Sequence, residues 1–449
     1  MDLHHKKGII LTVISLFIAG GLVYVFTHVG PGEKFYGIFD GVPVLEDLFP
    51  NTQSSQALPG GDTSTETEGN NADDNQSDKD KEETEDTINI YIEDEDKNTG
   101  GNIDIPTSNA ATQKGIELYH SLDFLEARNQ LLQSQDQDPV ALFYLGLIAS
   151  YEENDTLAKS YFRGVTEKKN ASEDIHRYAS EILDSYTIFE SYRDGKRDFL
   201  YTLLGKAYIN VGQPTLGILK LKQATTLNPN YDDAWILLGT AYILSDNYAD
   251  AEKALRNVTS TTRPEPSYYL GLSQFNQQKF DQAIISFRQS IDLGYTPVVD
   301  VQMKIADAFL ALKQYGKALE YYMQIIKDNP NNPDLYSQPI WLNLALIKDI
   351  DGAFEVAQLA LTNNPRSALA HNFIAWVALE NNDLSTAKQY LDAAVTLDAN
   401  LQAAYYNYGQ YYEKISDKEH AQSSYRKAIS IDPKTNLSKL SAAAITRLN

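Results

Sequence analysis

Residues 232–255 read DDAWILLGTAYILSDNYADAEKAL. Trp235, Leu238, Gly239 and Tyr242 recur every three to four residues, and Ala251 and Leu255 follow at the same spacing beyond the polar break Ser245-Asp246-Asn247. That pattern predicts two amphipathic helices joined by a tight turn. One unit upstream the same places hold Tyr201, Leu204, Gly205 and Tyr208, then Gly217, Leu221, Ala224 and Pro229. Near the carboxyl terminus they hold Tyr405, Tyr408, Gly409 and Tyr412, then Ala421, Tyr425, Ala428 and Pro433. Gly205 and Gly239 set a period of about 34 residues, which marks a repeat array.

A small residue recurs at the eighth position of each unit: Gly146, Gly205, Gly239, Gly271, Ala306, Ala345, Ala375 and Gly409. Twelve residues later comes another: Ala158, Gly217, Ala251, Ala283, Ala318, Ala357, Ala387 and Ala421. Small residues at fixed offsets allow two antiparallel helices to cross closely, while the large residues between them fill the gap to the next unit. The array covers residues 113–435, with an opening unit around Ala127, Leu131 and Pro139. Residues 171–197 break the pattern and read as an inserted or degenerate helical pair. The unit holding Trp341 is shortened, and residues 436–449, with Leu437, Leu440, Ile445 and Leu448, suit a terminal capping helix.

The spacing resembles that of the tetratricopeptide repeat family, with its W-x2-L-G-x2-Y, A-x3-F and P signature. The resemblance implies an all-α superhelical solenoid of about eight to nine units that binds protein partners. It also implies a concave groove lined by the second, fifth, ninth and twelfth positions of each first helix. On this chain those positions give Phe143 and Leu147, Phe199 and Lys206, Ile236 and Ile243, and Tyr268, Leu272 and Phe275. Further along they give Met303, Leu342 and Leu346, Asn372 and Trp376, and Tyr406 and Gln410. A mostly apolar and aromatic groove suits an extended peptide or an amphipathic helix of a partner, unless these side chains pack on one another. The Lys/Asn pairing with which some members clamp an acidic carboxyl terminus is missing. The corresponding pairs are Thr202/Lys206, Ile236/Thr240 and Tyr406/Gln410.

The amino-terminal quarter has a different composition. Residues 8–29, GIILTVISLFIAGGLVYVFTHV, hold no Asp, Glu, Lys or Arg, and the run is long enough for one membrane-spanning helix. Lys6 and Lys7 precede it, while Glu33, Asp40, Glu46 and Asp47 follow. The positive-inside rule then predicts a cytoplasmic amino terminus and an extracytoplasmic array, periplasmic or at the cell surface. A cleaved signal peptide is the rival reading of the same run. Residues 30–50 form an aromatic juxtamembrane segment. Residues 51–112 carry 16 acidic residues against 3 basic ones, a net charge of −13, and read as a disordered acidic linker.

Composition excludes several function classes. The chain of 449 residues has a net charge of −23, the wrong sign for a nucleic-acid partner. It has no cysteine, so disulfides, thiolate metal sites and cysteine nucleophiles are ruled out. His120, His176, His371 and His420 stand apart, without a second ligand at metal-binding spacing. Residues 212–217, GQPTLG, lack the Lys and Ser/Thr of a phosphate loop. These features predict no catalysis and no cofactor. The expected role is a membrane-anchored scaffold for protein partners in envelope assembly or secretion. A self-associating structural surface protein and a glycan- or cell-wall-binding module are the alternatives.

Overall fold

The computed structural model describes residues 105–136, 138–192 and 195–449, together with the backbone of two short strands nearer the amino terminus. The strands are β1 (Thr12–Ile18) and β2 (Gly21–Thr27), paired antiparallel with Thr12 opposite Thr27 and Ile18 opposite Gly21. The single helix predicted over 8–29 is therefore not shown, two paired strands lying within that run. The run is rich in Val and Ile, which favour strands, and its glycines weaken a helix. No described helix is long and apolar enough to cross a membrane. The amino-terminal tip, residues 30–50 and the linker up to residue 104 lie outside the described residues.

Among the described residues the repeat region is α-helical. Helices α1 (Ala110–His120), α2 (Phe124–Leu132), α3 (Pro139–Tyr151) and α4 (Asp155–Glu167) form two antiparallel pairs. Helix α5 (Glu173–Ser191) follows alone. Then come the pairs α6 (Arg197–Asn210) with α7 (Pro214–Leu227), α8 (Asp232–Leu244) with α9 (Tyr248–Leu255), and α10 (Glu265–Asn276) with α11 (Phe280–Asp292). Contacts close one compact unit at Thr296, and a second begins at Pro297. The second holds α12 (Val298–Ala311) and α13 (Tyr315–Asp328), then an irregular first helix, α14 (Ser337–Trp341), with its partner α15 (Ile350–Asn363). It continues with α16 (Ala368–Glu380) and α17 (Leu384–Leu397), α18 (Gln402–Lys414) and α19 (Lys418–Ile431), and the single helix α20 (Asn436–Leu448).

Three boundaries differ from the sequence reading. Helix α1 begins at Ala110, and Ile105 and Thr112 are buried, so ordered structure starts inside the stretch read as linker. Residues 171–197 give one 19-residue helix rather than a pair, because nothing between Ser191 and Arg197 supplies a second apolar stripe. In the shortened unit, α14 is preceded by a 3-10 turn at Pro333–Tyr336 and runs into a π-helical stretch, Leu342–Ile347. Pro333 and Pro339 remove two amide donors there.

The turn inside each pair has a repeated chemistry. A left-handed residue ends the first helix, and the next residue starts the second. Asp123, Asn154, Asn247, Asp349, Asp383 and Asp417 each accept a hydrogen bond from a backbone N–H in the first turn of the helix they open. The left-handed positions are Leu122, Glu153, Gly212, Asp246, Gln278, Lys313, Lys348, Asn382 and Ser416. Only one of these is glycine, so the others hold a conformation that costs an L-residue about 1 kcal/mol. Lys313→Gly, at φ 58 and exposed, is therefore expected to stabilise the unit from Pro297 onward by about 0.5–1 kcal/mol. A urea titration of the full chain, read through Trp341 and Trp376, checks it.

The core of residues 105–216 is continuous across the lone helix. Tyr119, Phe143, Phe162, Ile182, Tyr208 and Leu216 all belong to one buried cluster. Polar groups knit the same region. Lys220 on α7 is fully buried and donates from Nζ to the Ser150 carbonyl at 2.6 Å. Tyr208 donates to Ser150 Oγ at 2.6 Å, and Tyr201 donates to Glu153 at 3.1 Å. Helices α6 and α7 are thus fastened to the α3–α4 turn, a connection between residues up to 70 apart in sequence.

Candidate functional site

Each first helix presents one face away from its second-helix partner, and the predicted groove residues divide there into two classes. In the unit ending at Thr296, Phe143, Leu147 and Ile236 are fully buried. Helix α5 accounts for the first of these: its Tyr178 ring lies 6.4 Å from that of Phe143, and Phe162 packs at 5.6 Å from the other side. Ile236 belongs to a cluster with Ile209, Leu221 and Leu237. These three side chains are core. Phe199, Lys206, Ile243, Tyr268, Leu272 and Phe275 remain half-buried. Tyr268 stacks on Tyr295 at 4.2 Å, and Phe275 meets Phe280 edge-on at 5.3 Å.

In the unit from Pro297, Leu342, Asn372 and Trp376 are buried, whereas Met303, Leu346, Tyr406 and Gln410 are half-buried. Asn407 donates to Asn372 Oδ1 at 2.9 Å, and the Asn372 amide nitrogen has no hydrogen-bond partner. Burial pushes the Tyr406 phenol up to about 12, with Arg447 opposing the shift. Burial also raises the Glu380 carboxyl, against the pull of Lys414 and Lys348. Arg447 grips both oxygens of Glu413, at 2.8 and 2.7 Å, and so ties α20 to α18.

One place combines a cavity with mixed chemistry. Helices α5 and α6 enclose a cleft of about 370 Å³ lined by Glu181, Asp184, Ser185, Ile188, Tyr192, Phe199, Leu203, Lys206, Ala207 and Asn210. Two of these, Phe199 and Lys206, are among the groove residues derived from the repeat positions. The α5 residues were missed because a repeat register says nothing of an inserted helix. A period of 3.6 over Glu181, Asp184, Ser185 and Ile188 was the available signal. At one end the Tyr192 and Phe199 rings meet at 5.1 Å. At the other, Asn210 donates to Glu181 at 2.6 Å, and burial raises the Glu181 carboxyl above its ordinary range. Burial lowers the Lys206 ammonium, with Glu181 and Asp233 countering. A second cavity, about 430 Å³, lies among the loops that open α16 and α18, beside Asp334 and Arg366, and holds no predicted groove residue. Among the described residues, no group of His, Asp and Glu is arranged to hold a metal ion.

Family models described as tetratricopeptide repeat match residues 208–275, 268–333, 368–401 and 402–435. Cellulose synthase operon protein C of Pseudomonas fluorescens (strain SBW25) is 22% identical over 337 residues, which cover 70% of this chain and 24% of that protein. The mitochondrial import receptor subunit TOM70 of Homo sapiens is 22% identical over 242 residues, 51% of this chain and 38% of that one. The chain thus spans well under half the length of either relative. Among solved structures, the C-terminal part of a TPR repeat-containing protein from Cytophaga hutchinsonii superposes with a TM-score of 0.42 at 15% identity, covering 54% of this chain and 99% of that one. Residues 208–333 and 368–435 therefore match tetratricopeptide repeats.

Proposed function

We propose that this protein is a non-catalytic scaffold that binds a peptide or helix of a partner protein on the first-helix faces of its repeats. The observation that carries this reading is the row of large side chains left half-buried there. Phe199, Ile243, Tyr268, Leu272 and Phe275 lie in the first unit, and Met303, Leu346 and Tyr406 in the second. Apolar surface at regular intervals along the helices of a unit is what a partner segment covers. Co-purification from native cells tests it. A partner held by the full chain is expected to be lost from Tyr268→Ser/Phe275→Ser and Tyr406→Ser variants and kept by Glu320→Gln, on an exposed second-helix site. Equal retention by all of them would defeat the reading.

We further propose that in a membrane residues 8–29 cross once as a helix, in place of the paired strands described above, and hold the array on the extracytoplasmic side. The support is the absence of acidic and basic side chains from that run and the switch from Lys6-Lys7 to Glu33 and Asp40 across it. Protease added to intact cells is expected to remove a tag at the carboxyl terminus. A protected tag would place the repeats on the cytoplasmic side.

A further inference from the structure

The cleft between α5 and α6 sets two carboxylates beside an apolar wall. We propose that it seats a partner segment carrying a Lys or Arg side chain one to two helical turns from a large apolar one. This rests on the scaffold reading above and names the chemistry of one contact within it.

Helix α5 is the element outside the repeat, with no second helix of its own, so its outer side borders the cleft. Ile188 and Tyr192 are 44% and 43% exposed and line the cleft together, so they form a patch rather than single exposed groups. With Phe199 they form an apolar seat at one end. Glu181 and Asp184 stand at the other end, seven and four residues before Ile188, so the acidic and apolar groups lie about 6–10 Å apart along the helix. Glu181 and Asp184 there are faced by the Lys206 ammonium, which Asp233 also attracts, and by Arg177, which is also paired with Asp174 at 3.4 Å, so acidic groups outnumber the cations around them. Glu181 is itself disfavoured as an anion by burial and by the neighbouring Asp184. A cation from a partner would compensate that charge in a partly desolvated place, where a pair is worth more than on open surface. An acidic segment would meet like charge at the same spot.

The test uses the full chain and two amphipathic helical peptides with identical leucine faces, one bearing lysines and one glutamates, followed by fluorescence anisotropy. The lysine peptide is expected to bind more tightly, and Glu181→Gln/Asp184→Asn to weaken it about tenfold. Asp281→Asn/Glu320→Gln, which removes the same charge from exposed second-helix sites, is expected to leave its affinity within about twofold. Ile188→Ser/Tyr192→Ser, which takes nothing from the core, is expected to weaken both peptides. The cleft is refuted if the two charge-removing pairs act alike, or if the serine pair has no effect. If Tyr268→Ser/Phe275→Ser weakens the peptides while the cleft variants do not, the cleft falls and the scaffold reading stands. If no variant changes either affinity, both fall.

Discussion

Gly217→Ala is expected to destabilise the unit that ends at Thr296 by about 2–3 kcal/mol, although the same exchange in an open helix stabilises by about 1 kcal/mol. The sign decides between the two accounts. A Cβ on Gly217 would stand 2.8 Å from the Gly205 carbonyl oxygen and 2.8 Å from Ile209 Cγ1. The first of these is backbone of the facing helix and cannot turn aside, so α6 and α7 must separate. Gly316, at the start of α13, is the control: nothing lies within 4 Å of an added Cβ, so alanine there gains roughly 0.5 kcal/mol. Urea midpoints of the full chain, read by Trp235 for Gly217 and by Trp341 and Trp376 for Gly316, give both numbers. A gain from Gly217→Ala would mean that the close crossing of α6 and α7 is wrong.

The second large effect belongs to Lys220. Burial lowers its ammonium to about 8 from 10.5, against the attraction of Asp155 and Glu153 and with a smaller push from Arg197. Its Nζ also lies 5.1 Å above the Tyr201 ring. Between those two values the unfolded chain holds a proton that the folded chain has released. Raising the pH through that window therefore favours folding. From pH 8 to 10, wild type is expected to gain about 2 kcal/mol relative to Lys220→Met, whose profile lacks this rise. The buried phenols of Tyr119, Tyr186 and Tyr208 act in the opposite sense above their ordinary value of 10.0, because folding holds them neutral. Stopping at pH 10 and subtracting the variant removes them. Urea titrations read by Trp235, in a Trp341→Phe/Trp376→Phe background, supply the difference. Parallel profiles would show that Lys220 keeps its ordinary titration and is not enclosed.

The repeat was legible because its constraint is steric and local. Gly146, Gly239, Gly271 and Gly409 each face a large side chain sixteen positions on, respectively Phe162, Leu255, Phe287 and Tyr425. Spacing alone suggested that the two small positions meet each other, yet among the described glycines an added Cβ comes within 3 Å of facing backbone only at Gly217, against the Gly205 carbonyl. Elsewhere the glycine makes room for the partner helix's large residue. The groove was half legible. Position within the repeat identifies the face of a helix, but it cannot foresee what packs on that face. Phe143 and Leu147 became core because α5 and its neighbours enclose them, and Asn372 because Asn407 reaches across from α18. The α5–α6 cleft was illegible for a related reason. It depends on an insertion whose amphipathic spacing predicts a helix without saying against which face it docks.

The most direct test of the scaffold reading is a photo-crosslinking scan in native cells. A crosslinking residue is placed at Tyr268 or Tyr406 on the first-helix faces, and at Asp281 or Glu320 on exposed second-helix surface. The account predicts discrete adducts to a protein other than this chain from the first two positions and none from the second two. Adducts from all four alike, or from the second-helix positions only, would contradict it. Adducts made solely of two copies of this chain would replace partner binding by self-assembly.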